Sequence, residues 1–266
     1  MVASTDVWGS VVGSVAGDRA RVTSVVNGAA DPHSFAPAPT AVAAIEDAAL
    51  VVYNGGGYDA WVDQILVGHR DAVTVDAYSL LDPAAVGEPP PPNEHVFYEL
   101  NTAKAVAGRI ADRLAEVDPQ HADQYRSSAI DFGKRADGIL EQEHAMRSAF
   151  PGAAVVATEP VAHYLLLAAG LIDKTPQGFS NAVEQDTDPS PADMAAMLDL
   201  LTSHRVSALI VNDQTMTGAT RQIRDAAVAA GIPIVGVTET LPAGSEYLTW
   251  QADTASRLAA ALGQGR

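Results

Sequence analysis

Apolar positions recur along this chain in two rhythms, steps of three and four and short unbroken runs, and they alternate. Val7, Trp8, Val11, Val12 and Val15 follow Thr5 and Asp6 at helical spacing, which predicts a helix capped by those polar residues and stopped at Gly17. The β-branched run Val22 to Val26 reads as a strand, and Asp31-Pro32-His33-Ser34-Phe35 reads as a loop. An Ala-rich helix from about Pro39 to Ala48, the strand Leu50 to Tyr53, a helix from near Asp59 to near Val67 and a strand at Ala72 to Val75 come next, ahead of the proline run 89–92. Such alternation predicts a mostly parallel sheet covered by helices.

Between Pro119 and Phe150, Ala122, Tyr125, Ala129, Phe132, Ala136, Ile139, Met146 and Phe150 fall on one face, interrupted by Glu143. One helix of roughly 45 Å is expected here, longer than a small lobe is wide and suited to tie two lobes together. Gly133 and Gly138 each cost about 1 kcal/mol relative to Ala and allow a bend. The second half repeats the alternation, with strands at Ala154 to Ala157, Ala208 to Val211 and Ile232 to Val237. Helices are expected through Tyr164 to Ala169, near Thr220 to Ala230 and near Thr249 to Leu262. Ser190-Pro191-Ala192-Asp193 reads as a cap opening a further helix to about Ser203. The expected fold is α/β, two small lobes with mostly parallel sheets joined by one long rigid helix: a lobe over 1–118, the connecting helix over 119–150 and a lobe over 151–266.

Composition narrows the function. With 266 residues, 47% hydrophobic and 18% charged, the chain has ample material for a core. Sixteen basic against 33 acidic residues give a net charge of −17, a field that repels nucleic acid and anionic membrane and attracts cations. The absence of cysteine excludes disulfides, thiol nucleophiles and iron–sulfur clusters, so any metal site must use His and carboxylates. The most apolar stretch, Val161 to Leu171, is interrupted by His163, Tyr164 and Gly170 and falls short of the ~20 residues of a membrane span. The opening Met1-Val2-Ala3-Ser4-Thr5 reads as strand rather than secretory signal, so the protein is expected to be cytosolic or exported with its targeting segment removed.

In open parallel sheets, ligands bind beyond the carboxyl ends of the strands. That rule selects Glu159, just past Ala157; Glu239, just past Val237; His33, in the loop after Val26; and His95, which follows the proline run. Each has a plainer reading: a solvated loop histidine, or a glutamate favoured at a helix N-terminus by the macrodipole. His69, His121, His144 and His204 have polar neighbours and read as surface. His163, four residues past Glu159, is an alternative ligand or a partner of one, with packing on a helix face the plainer role. Asn54-Gly55-Gly56-Gly57-Tyr58 lacks the spacing and lysine of a phosphate loop and reads as a flexible turn; the prolines read as a stiff connection. No GxSxG, no HExxH and no obvious Ser/His/Asp arrangement gives catalysis a signal.

Four segments occur in order: Asp31-Pro32-His33-Ser34-Phe35, Asn93-Glu94-His95-Val96-Phe97-Tyr98, Thr158-Glu159-Pro160 with Tyr164, and Gly236-Val237-Thr238-Glu239-Thr240-Leu241-Pro242. Together they resemble the zinc- and manganese-binding substrate-binding proteins of bacterial ABC importers, over nearly the whole chain, with Asn54-Gly55-Gly56 and Tyr247-Leu248-Thr249-Trp250 also fitting. The resemblance implies one divalent metal held between two lobes, by His33 and His95 from the first and Glu159 and Glu239 from the second. It also implies an extracytoplasmic location, periplasmic or lipid-anchored, and delivery of the metal to an ABC permease. The chain departs from the pattern by having Glu159 where many zinc-type members have a third histidine. It has only Glu88 and prolines where a His-rich acidic loop would stand, and Glu239 where Asp is frequent.

Two carboxylates would neutralise a dication and two imidazoles would supply nitrogen donors, a set that takes Zn2+ or, with bidentate carboxylates, Mn2+. Four protein donors leave no obvious open position, which favours capture over catalysis. A metal-assisted hydrolase in the same cleft and a metal-stabilised adhesin are the alternatives. Because only neutral imidazole binds metal, metal uptake is expected to release protons and to weaken from ~pH 7.5 to ~pH 5. Calorimetric titration across that range checks this, and unchanged affinity would count against imidazole ligation.

Overall fold

Thr5 closes the first strand and caps the first helix, its hydroxyl accepting from the Trp8 amide, and Gly17 at φ 60° ends that helix. This strand-to-helix corner opens a computed structural model that describes residues 1–28, 30–69, 71–87 and 91–264. Glu88, Pro89 and Pro90, part of the expected stiff connection, lie outside the described residues. Contacts divide the chain into two units, 1–139 with 239–250, and 140–238 with 251–266.

The first unit begins with β1 (Val2–Thr5), α1 (Asp6–Ala16), β2 (Thr23–Val26), α2 (Pro39–Glu46), β3 (Val51–Tyr53), α3 (Ala60–Leu66), β4 (Thr74–Asp76) and α4 (Pro83–Val86). Its four strands are parallel, in the order β2-β1-β3-β4. The order reverses between β1 and β3, so loops leaving their carboxyl ends diverge and leave room for a ligand there. Val2, Val26, Val51 and Tyr53 pack with Ile45 of α2 and with Trp61 and Val62 of α3 on one face. A helix that the sequence reading passed over, α5 (Leu100–Val117), follows; its Leu100, Ala103, Val106, Ala107, Ile110, Ala111 and Leu114 are buried at steps of three and four. Its cap is Glu99, a residue type seldom used there, whose carboxylate accepts from Thr102 N.

The long helix, α6 (Ala122–Ala149), starts after a 3-10 turn at Pro119–His121 and runs through Gly133 and Gly138 without interruption. It begins in the first unit and passes into the second at Leu140. Glu143, expected to break the apolar seam, is buried along with Ile139 and Met146.

The second unit continues with β5 (Ala154–Ala157), α7 (His163–Ala168), β6 (Ile172–Asp173), α8 (Gln177–Glu184), α9 (Pro191–Thr202), β7 (Ala208–Asn212), α10 (Gly218–Ala229) and β8 (Ile234–Val237), and α11 (Tyr247–Gln264) ends the chain. Its parallel sheet repeats the first order, β6-β5-β7-β8. Ser190 caps α9 as expected, accepting from Asp193 N at 3.1 Å. Val156, Leu209 and Val211 pack against Phe179, Met197, Leu201 and Ile223.

Ile110 is fully buried in α5, so Ile110→Ala is expected to destabilise the protein by about 2–5 kcal/mol through lost contacts and a residual cavity. Denaturant unfolding checks this, and a loss below ~0.5 kcal/mol would mean that α5 is not part of the cooperative core.

Candidate metal centre

Each predicted histidine of the first unit stands two residues after an Asx side chain that fixes its backbone. Asp31 Oδ1 accepts from His33 N at 2.9 Å, and Asp31 Oδ2 accepts from the Ser34 hydroxyl at 2.7 Å. Asn93 Oδ1 accepts from His95 N, also at 2.9 Å. The same oxygen lies 3.1 Å from His95 Nδ1. An oxygen that already receives a backbone N–H can only accept from the ring, so Nδ1 of His95 carries the proton and Nε2 keeps its lone pair.

Glu239 follows β8, a strand of the second unit, and its position in the chain assigns it to the second lobe. Its contacts assign it to the first unit. The cause is a set of hydrogen bonds between residues far apart in sequence. Asp6 Oδ1 accepts from Leu241 N at 3.0 Å while Asp6 Oδ2 accepts from Gly28 N at 3.4 Å. The Thr240 hydroxyl donates to Gly28 O, and Tyr247 N donates to Ser10 Oγ at 2.9 Å. Tyr58 OH donates to the Glu239 carbonyl at 3.4 Å, and Tyr247 OH to the Phe97 carbonyl at 2.7 Å. By these contacts three of the four candidates, His33, His95 and Glu239, stand on one unit, where two from each lobe were expected.

Those three converge. Glu239 Oε2 lies 3.4 Å from His33 Nε2 and 3.9 Å from His95 Nε2. For metal–ligand bonds of 2.0–2.1 Å, the edge of a tetrahedron is roughly 3.3–3.4 Å, so the first spacing is already that of two donors sharing one ion and the second needs a small contraction. His95 and Glu239 are buried, whereas His33 is partly open to solvent. The tyrosine ring of Tyr58 packs edge-on to His33 at 4.6 Å and to His95 at 5.7 Å, and Phe97 packs against His95 at 5.7 Å. These rings exclude water from one side and strengthen the electrostatics within. Burial, with the charge of Glu239 next, raises the Tyr58 hydroxyl well above the usual tyrosine range and keeps it neutral.

Tyr58 is placed by the Asn54-Gly55-Gly56-Gly57 segment, which is a pinned loop rather than the flexible turn expected. Asn54 N and Gly55 N donate to the buried Asp59 carboxylate at 2.7 and 2.8 Å. Gly55 adopts φ 75°, and a Cβ there would collide with Asp76, so the position requires glycine. The Asn54 amide, buried with its Oδ1 on Trp8 Nε1, donates to Glu94 O at 2.8 Å and thereby fixes the His95 loop as well.

The fourth candidate, Glu159, belongs to the second unit. It follows β5, at the point where strand order reverses between β5 and β7. Its carboxylate does not cap the following turn: Oε2 accepts from Asn212 Nδ2 at 2.8 Å and Oε1 from the Thr215 hydroxyl. Glu239 does not begin a helix, so the helix-terminus alternative fails for it, whereas Glu159 stands at the N-terminus of the turn Pro160–Ala162. His163 is half-buried at the start of α7, edge-on to Tyr164. His69, with Glu46, is exposed; His121, with Asp118, is half-buried; His144 and His204 are exposed.

The sequence profile described as zinc-uptake complex component A, periplasmic (ZnuA), matches residues 1–261. The chain belongs to this family. Among relatives, the manganese-binding lipoprotein MntA of Halalkalibacterium halodurans is 25% identical over 151 residues, 57% of this chain and 50% of that protein. The metal ABC transporter substrate-binding lipoprotein SloC of Streptococcus mutans is 22% identical, over 95% of this chain and 87% of its own. The periplasmic zinc-binding protein TroA of Treponema pallidum shares the fold, with a TM-score of 0.83 and 16% identity over 98% of each chain. The two α/β units with parallel sheets and a long helix are thus the ZnuA and TroA architecture, and the family comprises metal-binding components of ABC importers rather than enzymes.

In this ZnuA-family chain the residues that support the site, Asn93, Tyr58, Asp6, Asn212 and Thr215, escaped the sequence reading. For Asn93 a signal exists: Asp31-x-His33 and Asn93-x-His95 share one spacing. Burial lifts the Asp59 carboxyl to about 6, above its value of ~3.9 in an unfolded chain, against the pull of its hydrogen bonds. Between those values the folded state holds more protons than the unfolded one, so this contribution to stability is present in mild acid and is lost as pH rises through about 6. Asp59→Asn is therefore expected to change the wild-type-minus-variant difference in unfolding free energy by on the order of 2–3 kcal/mol between ~pH 4 and ~pH 7. Parallel profiles in denaturant titrations would contradict it.

Proposed function

We propose that this protein captures Zn2+ or Mn2+ outside the cytoplasmic membrane and hands it to an ABC permease, with His33, His95, Glu239 and Glu159 as ligands. The observation that carries the reading is the convergence of one donor atom each from His33, His95 and Glu239 within 4.8 Å of one another. Two neutral nitrogens and one buried carboxylate leave a single positive charge on a bound dication, which a second carboxylate neutralises; Glu159 supplies it. Monodentate carboxylates give a four-coordinate zinc site, and bidentate ones a six-donor site that accommodates manganese. Zinc binds tighter than manganese to such a set, so affinity alone does not name the cargo.

The names of the relatives support the location and partner, since MntA and SloC are both lipoproteins and SloC is a transporter component. Among the described residues no helix is long and apolar enough to cross a membrane. The net charge of −17 raises the local concentration of cations at the protein surface.

Competition titration with a metal indicator tests the ligand set. Glu239→Ala removes the carboxylate shared by both imidazoles and Glu159→Ala removes the neutralising charge. Each is expected to weaken zinc binding by at least ~100-fold, close to 2.8 kcal/mol at about 1.4 kcal/mol per decade. Wild-type affinity in either variant removes that residue from the set. Elemental analysis of protein purified without added metal then distinguishes the cargo.

A further inference from the structure

The metal reading leaves one charged group of the first unit unexplained. Glu94, between Asn93 and His95, puts Oε1 3.5 Å from Nδ1 of His33, on the opposite side of the ring from Glu239 Oε2, which is 3.4 Å from Nε2. Its side chain is 31% exposed. Its carbonyl accepts from Asn54 Nδ2 at 2.8 Å and from Val96 N at 2.7 Å, so the carboxylate projects from fixed backbone. Loss of solvation raises its carboxyl above the ordinary range; the facing His33 opposes this, and the charge of Glu239 adds to it.

A carboxylate oxygen accepts and does not donate, so Glu94 draws the proton of the neutral His33 ring to Nδ1 while Glu239, 3.4 Å from Nε2, draws it the other way. Only the Nδ1–H form leaves an Nε2 lone pair for a cation held beside Glu239. At His95 the same division holds, with Asn93 receiving the Nδ1 proton and Nε2 facing the same carboxylate. Residues 93 and 94 thus each place an acceptor at the Nδ1 side of one ring. We propose that Glu94 is the positioning residue for His33, holding its imidazole in the Nδ1–H form and in the orientation that offers Nε2 to a divalent cation. This rests on the assignment of His33 as a ligand. Carboxylate partners of metal-binding imidazoles fix ring orientation and raise ring basicity, and their loss costs about 10–100-fold in affinity.

Two variants of the full chain test it, Glu94→Gln, whose amide oxygen still accepts, and Glu94→Ala, which removes the acceptor. Long-range proton–nitrogen NMR of the metal-free protein at ~pH 9, above the imidazole range, reads the His33 tautomer, with dispersed spectra showing that each variant folds. Zinc affinity is measured in parallel. The expected result is a larger Nδ1–H population in wild type and Glu94→Gln than in Glu94→Ala, where Glu239 alone draws the proton to Nε2, and a ~10–100-fold loss of affinity in Glu94→Ala that Glu94→Gln largely restores. An unchanged tautomer in Glu94→Ala overturns the proposal. So do equal affinity losses in both variants without a tautomer change, which would make Glu94 a direct donor or a bare charge. If His33→Ala binds zinc as tightly as wild type while the tautomer still follows residue 94, the ligand assignment fails and the positioning of the ring stands.

Discussion

The structure of the site depends on one buried carboxylate placed against two imidazole nitrogens. Glu239 is 2% exposed, and an ionised group so far from water requires compensation. Around it stand His33, His95 and the ring of Tyr58, all supplied by loops at the carboxyl end of one parallel sheet. A divalent cation would satisfy all three groups together, since it would cancel the carboxylate charge and accept both nitrogen lone pairs. Within a water-poor pocket the attraction is several times what it would be in solvent.

Holding that carboxylate in place requires a chain excursion that strand order does not reveal. The segment 239–250 leaves β8 and joins the first unit through Asp6, Ser10, Gly28 and Tyr58, and the chain re-enters the second unit within α11. Three donors consequently share one supporting framework, whereas Glu159 is built into the other unit by Asn212 and Thr215. In the proposed ligand set the two carboxylates would do different work: Glu239 would set the position of the ion relative to both imidazoles, and Glu159 would bring the charge that completes neutralisation.

The legible parts of the fold were those with local causes. Thr5 and Gly17 mark the ends of α1, Ser190-Pro191 opens α9, and β5 coincides with its apolar run, because caps and runs act over a few residues. α5 escaped notice because Glu99 caps it in place of a preferred residue, and β6 because two residues make no pattern. The candidate histidines were legible from their loops. The unit to which Glu239 belongs was not, since the bond from Leu241 N to Asp6 spans 235 positions and leaves no local trace. The glycines after Asn54 suggested flexibility although the side chain that pins their loop is local: Asp59 accepts from Asn54 N and Gly55 N, and no glycine pattern discloses such a bond.

X-ray absorption spectroscopy of the zinc-loaded protein tests the central claim most directly, because it reads the ligands of the ion itself. The account predicts a first shell of nitrogen and oxygen at about 2.0–2.1 Å, with outer-shell scattering from two imidazole rings. A spectrum described by oxygen donors alone, or by a single imidazole, would contradict it.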